Sequence, residues 1–112
     1  MIKDLEDWKD KIKISNKLII VEGKKDKEAL VSLSIENIFV LKNQPLYKVV
    51  EEAAKIAKEV IILTDFDNEG KKLYSILREG LEKNGVKIDK QFREFLMNNT
   101  KLVCVEGIEK LY

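Results

Sequence analysis

A chain of 112 residues is long enough to bury one core and short for two. Its 45% hydrophobic and 37% charged residues exclude an intrinsically disordered chain, and Lys+Arg 21 against Asp+Glu 20 excludes a strong overall basic field. With no histidine and a single cysteine, a serine–histidine triad, a histidine-ligated zinc site and an internal disulfide are excluded too.

Taken in chain order, Ile2, Leu5, Trp8 and Ile12 recur at helical spacing and predict an amphipathic helix over 2–13, ended by Ser15-Asn16. "KLIIVEG" predicts a buried strand ending near Val21, closed by glycine. A helix is expected over 25–33 and a second strand at Ile38-Phe39-Val40-Leu41. Pro45 suits a helix's first turn, after which Leu46, Val49, Val50, Ala53, Ala54, Ile56 and Ala57 mark an apolar face. "EVIILTD" is the third predicted strand. "EGKKLYSILREGLEKNG" is a helix expected to turn Leu73, Ile76, Leu77 and Leu81 inward and to stop at Asn84-Gly85. After a short extended piece, Asp89 is expected to cap a helix through about Met97, and "KLVCVEG" to form the last strand with Cys104 in the core. No apolar run approaches the ~20 residues a bilayer span needs. "MIKDLEDWKDKIK" is too charged for a secretory signal, so a cytoplasmic location is expected.

Strands alternating with helices predict an α/β fold, with a central, mainly parallel four-stranded sheet and helices on both faces. In open sheets of this kind functional groups gather past the C-terminal ends of the strands. Glu22 closes the first strand and Asp65 the third, so Glu22, Asp65 and Asp67 converge on one edge if those strands are neighbours. Asp65 and Asp67, spaced i, i+2, point the same way in an extended backbone. Carboxylates crowded at one point are costly unless a cation neutralises them, and oxygen donors without histidine or cysteine suit a hard ion such as Mg²⁺.

"LIIVEGKKDKEAL" followed by "VIILTDFDNEG" resembles the TOPRIM domain, shared by topoisomerases, bacterial-type primases and the ribonuclease M5 group. That signature is a glutamate after the first strand, matched by Glu22, and a DxD after a later one, matched by Asp65 and Asp67. "DFDNEG" is also similar to the topoisomerase variant DPDREG, from which Phe66 and Asn68 depart. The resemblance covers the chain as a single compact Rossmann-like TOPRIM domain over 1–112, with the 1–14 helix packed on it. It implies Glu22 as proton shuttle and Asp65 and Asp67 as ligands of Mg²⁺, or of Mn²⁺ in its place, in phosphoryl transfer.

Glu69 is either a further ligand through water or a first-turn acid at the helix dipole. Gly23 and Gly70 are candidates for close backbone approach at the site. Lys24, Lys25 and Lys27, with Lys71 and Lys72, ring the carboxylates and are candidates to grip RNA or DNA phosphates. Tyr47, Tyr74 and Tyr112 are not strand-passing nucleophiles, because the topoisomerase tyrosine belongs to a separate domain.

Three functions follow. The first is a Mg²⁺-dependent, nuclease-like enzyme on nucleic-acid phosphodiesters, akin to ribonuclease M5. The second is a non-catalytic module that binds nucleic acid or a protein partner, with a homodimer as one way to extend its surface. The third is a DxD phosphatase of the haloacid dehalogenase type, disfavoured because that family places its DxD after the first strand and threonine or valine where Glu69 stands.

Overall fold

The computed structural model describes all residues, Met1–Tyr112. Helix α1 (Leu5–Ser15) begins later than its apolar periodicity suggests, because Asp4 is its cap and accepts the Asp7 N–H at 2.8 Å. Asn16, at φ 50, ends it in the left-handed conformation that asparagine tolerates. Strand β1 (Leu18–Val21), helix α2 (Lys24–Ser32), strand β2 (Ile38–Val40) and helix α3 (Leu46–Ile56, with Pro45 just outside as its cap) follow. Strand β3 (Glu59–Leu63), helix α4 (Asn68–Lys83), strand β4 (Lys87–Ile88) and helix α5 (Gln91–Asn99) complete the sheet and its cover.

The strands lie in the order β2-β1-β3-β4, and every pairing is parallel. Strands β1 and β3 are central and consist of Val, Ile and Leu after Glu59, as expected for a sheet covered on both faces. Their alternation divides the core. Ile19, Val21, Ile61 and Leu63 pack with α1, α2 and α5, whereas Leu18, Ile20, Val60 and Ile62 pack with α3 and α4. Trp8 anchors α1 to the first layer: fully buried, it donates from Nε1 to the Phe92 carbonyl at 2.9 Å and meets the Phe92 ring edge-on.

The structure corrects several local expectations. "KLVCVEG" is not a strand. Residues 101–104 are irregular and lead into a 3₁₀ helix, Val105–Leu111. Val105 and Ile108, three apart, bury into the first core layer as a single helical face, and the fourth strand is Lys87–Ile88 instead. Cys104 is half-exposed, because the core positions of its segment fall at Val105 and Ile108. Ile76 and Ile56 are 52% and 67% exposed, lying off the arcs that Leu77 and Leu81, and Val49, Val50 and Ala53, turn to the sheet. Asp89 accepts the Gln91 N–H at 3.3 Å, but its carboxylate is held mainly by Lys17 at 2.6 Å, and Lys90 occupies the cap position of α5.

Register sets the ends of β1 and β3 side by side. Val21 pairs with Leu63, so Glu22 and Thr64 are the next residues out of two neighbouring central strands.

Candidate functional site

Glu22 and Asp65 meet at that edge. The Asp65 N–H donates to Glu22 Oε2 at 2.7 Å, linking the exit of β1 to the exit of β3. Asp65 Oδ1 in turn accepts the Val105 N–H at 2.9 Å, while the Phe66 N–H donates to the Val103 carbonyl at 2.8 Å. The 102–105 segment thus straps across the end of β3 rather than extending the sheet.

The chain bends at Phe66 and Asp67, with Asp67 itself keeping an extended backbone (φ −77, ψ 179). Asp67 becomes the N-cap of α4, with Oδ1 accepting the Gly70 N–H at 2.8 Å. Asp67 itself is exposed. Thr64 is buried beneath the turn and donates from Oγ1 to the Gly70 carbonyl at 2.7 Å. A Cβ on Gly70 would stand 1.9 Å from the Asp65 carbonyl oxygen, so only glycine lets α4 start this close to β3. Gly23 has no such constraint: its φ is −140 and a Cβ would meet nothing nearer than Asp26 at 3.8 Å.

The other predicted residues surround this edge. Glu69 lies exposed in the first turn of α4, 3.9 Å from Lys72 in a solvent-exposed pair that contributes little. Lys24 and Lys25 are exposed in the first turn of α2, Lys27 follows them on that helix, and Lys71 and Lys72 are exposed near the start of α4. Both helices therefore present lysines at the end of the sheet where the carboxylates lie.

Three further residues belong to the same neighbourhood. Asp26 is buried; it supports the start of α2 by accepting the Gly23 N–H at 2.9 Å, yet its charge is felt by Glu22 and it feels Asp65 and Glu106. Glu106 approaches from the 3₁₀ helix, and its one sequence signal is that Val105-Glu106-Gly107 repeats Val21-Glu22-Gly23. Arg93, 4% exposed, sends its guanidinium under the edge to the Thr64 carbonyl and, at 3.0 Å, the Asp65 carbonyl. The rings of Phe66 and Tyr74 lie 4.7 and 4.8 Å from that guanidinium. Nothing in the sequence around Arg93 announces this role.

The electrostatics follow from the crowding. Burial pushes the Glu22 carboxyl above its ordinary value, against the Asp65 N–H, and the charges of Asp65, Asp26 and Asp67 push the same way. Asp65 is raised by burial and by Asp67 and Glu106, with the Val105 N–H and Arg93 opposing. Asp26 is raised by burial and by Asp65 and Glu106. The Cys104 thiol is also raised, chiefly by the Asp65 charge, so it is not an activated nucleophile.

No three acidic or cysteine side chains close on one point as a ready-made metal cage. Main-chain N–H groups hold Glu22 Oε2, Asp65 Oδ1 and Asp67 Oδ1, leaving the second oxygen of each carboxylate outside these bonds. Such an oxygen-only set fits an ion that takes one or two carboxylates and keeps its water, as Mg²⁺ does.

A parallel α/β sheet with carboxylates past the ends of its central strands defines a Rossmann-like fold with an acidic edge. Residues 16–91 match the Toprim domain, and the chain belongs to that family. It is 36% identical over 102 residues to a UPF0292 protein of Methanocaldococcus jannaschii, covering 88% of this chain and 80% of the relative. A UPF0292 protein of Pyrococcus abyssi is 38% identical over 104 residues, covering 92% of this chain and 77% of the relative. Among solved structures, a protein from Aquifex aeolicus superposes with a TM-score of 0.87 at 31% identity, covering 94% of this chain and 98% of that one. The zinc-binding and RNA polymerase domains of the Aquifex aeolicus primase superpose at 0.60 with 26% identity, over 92% of this chain and 27% of that one.

Proposed function

We propose that this chain is a Mg²⁺-dependent Toprim protein of the cytoplasm that acts on nucleic-acid phosphodiester bonds in a nuclease-like manner, akin to ribonuclease M5. One observation carries the reading: Glu22, raised in pKa by burial and neighbouring charge, is hydrogen-bonded to the Asp65 main chain on the edge where Asp65 itself lies. Membership of the Toprim family and the likeness to a primase's polymerase domain support a nucleic-acid setting.

Asp65 and Asp67 would hold the cation, with Glu69 reaching it through water. When bound, the ion supplies charge stabilisation for the phosphate oxygens of the transition state. Glu22 does the proton work. Its Oε2 is fixed by the Asp65 N–H, which orients the carboxyl and leaves Oε1 to accept a proton from a nucleophile or return one to a leaving oxygen. Lys24 and Lys25 on one side, and Lys71 and Lys72 on the other, would draw in the phosphate backbone. Arg93 holds the Thr64 and Asp65 carbonyls in place and so positions the turn that carries the acids.

A second reading, a binding module with little catalysis, draws support from Asp67: its carboxylate caps α4, and no three-carboxylate cage exists. One assay separates the two. Structured RNA, single-stranded DNA and supercoiled DNA are incubated with the protein with and without Mg²⁺, beside the Glu22→Gln variant. Catalysis predicts Mg²⁺-dependent cleavage that falls by roughly 10²–10⁴-fold in the variant. Salt-dependent binding without cleavage by either protein would establish the binding module in its place.

A further inference from the structure

Two open grooves flank the carboxylate edge, and they differ in charge. The larger, about 760 Å³ beside α2 and the 3₁₀ helix, sets Lys25, Lys101 and Lys110 against Glu28, Glu106 and Glu109. The smaller, about 330 Å³ between α4 and α5, brings Lys71, Arg78, Lys90 and Arg93 together against Glu94 alone. In a chain of net charge +1 such a concentration is not a consequence of composition. Four cations around one small cleft, with Glu94 as the one acid of its lining, form a surface complementary to an anion.

The geometry is regular. Lys71, Tyr74 and Arg78 fall at i, i+3 and i+7 on one face of α4, while Lys90, Arg93 and Met97 fall at the same spacing across from them. From Lys71 to Arg78 the cationic face runs about 10 Å along the helix, room for more than one phosphate. The only ion pair that engages a lining cation is the exposed Arg78–Glu82 contact at 3.3 Å, which a phosphate can displace at little cost. Tyr74 and Met97 add the apolar surface on which a sugar or base can rest. Arg93 lines the cleft and also bonds the Thr64 and Asp65 carbonyls, so one side chain links the cleft to the turn that carries the acids.

We propose that the α4–α5 cleft binds the phosphate backbone of a single nucleic-acid strand running away from the carboxylate edge, an assignment that rests on the nucleic-acid function above. It selects the side of the edge along which the strand lies, and it adds Arg78, Lys90 and Tyr74 to the binding surface. A single strand is specified because the cleft is small, about 330 Å³, and walled by two helices.

The test is fluorescence anisotropy of a short fluorescein-labelled single-stranded oligonucleotide in millimolar Mg²⁺, measured over a salt series. Glu22→Gln serves as the parent so that the probe stays intact. Arg78→Gln/Lys90→Gln is compared with Lys101→Gln/Lys110→Gln in the balanced groove, each checked for an unchanged thermal melt. The cleft variant is expected to bind roughly tenfold more weakly, with a salt slope shallower by about 1.4 for two lost phosphate contacts. The groove variant is expected to bind like the parent. If the parent binds and the cleft variant binds equally well, the cleft assignment is overturned and the nucleic-acid function stands. If the parent prefers the duplex of the same sequence, the single-strand assignment is overturned. If the parent binds neither form at low salt, both the cleft assignment and the nucleic-acid function fall.

Discussion

Asp65 carries two obligations at once. Its main chain organises the edge, donating to Glu22 and accepting from Arg93, while its carboxylate sits among Asp67, Glu106 and Glu22. The sign of the resulting pH dependence is fixed by the direction of the shifts. Glu22, Asp26 and Asp65 all have folded-state values raised above their ordinary 4.5, 3.8 and 3.8. In that range the folded chain binds more protons than the unfolded one, so their contribution is full below the ordinary values and is lost as pH rises through the raised ones. Asp7, lowered by its hydrogen bonds, works the other way, so the comparison must be between variants. In EDTA, wild type should lose stability relative to Asp65→Asn as pH climbs from about 4 toward neutral. Urea midpoints at a series of pH values measure this, and a constant difference between the two proteins would contradict it.

The legibility of these residues was uneven for a physical reason. Glu22 and Asp65 each follow an apolar run that can only be a buried strand, so their place at strand ends could be read directly from "LIIVEG" and "VIILTD". Asp67 as a cap could have been anticipated too, since Asp is a favoured N-cap ahead of the helical run through Leu73, Leu77 and Leu81. Arg93 and Glu106 could not. Their relation to the edge exists only after α5 and the C-terminal segment have packed; the repeated Val-Glu-Gly marks Glu106 without placing it, and nothing local marks Arg93.

At the scale of elements, the junction between β3 and α4 is the tightest feature of the fold. Thr64 beneath it, Asp67 capping it and Gly70 pressed against the Asp65 carbonyl allow the helix to start within a few residues of the strand. Gly70→Ala forces a methyl group onto a main-chain oxygen with no flexible neighbour to yield. The expected cost is about 2–3 kcal/mol, in the range of overpacked sites, read as a shift in urea midpoint at unchanged slope. A variant as stable as wild type would mean that α4 can slide off β3, and the geometry of the acids would then be less fixed than described. The neighbouring error in the sequence-based expectation has the same origin. "KLVCVEG" carries the composition of a strand, but β4 already occupies the sheet position beside β3, and the segment instead straps the Asp65 turn and buries Val105 and Ile108. Strand-like composition reports burial on two sides, which a strap between helix and sheet satisfies equally well.

The whole molecule resolves into a parallel sheet with two apolar layers and one polar edge. The layers were legible because the unbroken apolar runs of β1 and β3 and the helical periodicity of α3 and α4 both follow from burial alone. The edge is where local rules are broken, with carboxylates crowded in a protein of nearly neutral charge. Folding tolerates that arrangement at a cost in stability, which is intelligible if a cation relieves it. Thermal denaturation of wild type and Asp65→Asn, in EDTA and in millimolar Mg²⁺, tests this most directly. In EDTA the variant should melt no lower than wild type, because Asn keeps an acceptor for the Val105 N–H while removing a repelling charge. Mg²⁺ should raise the wild-type midpoint by mass action and the variant's far less. If Asp65→Asn melts well below wild type in EDTA and Mg²⁺ moves neither midpoint, the acids are turn-formers and the edge is not a metal site.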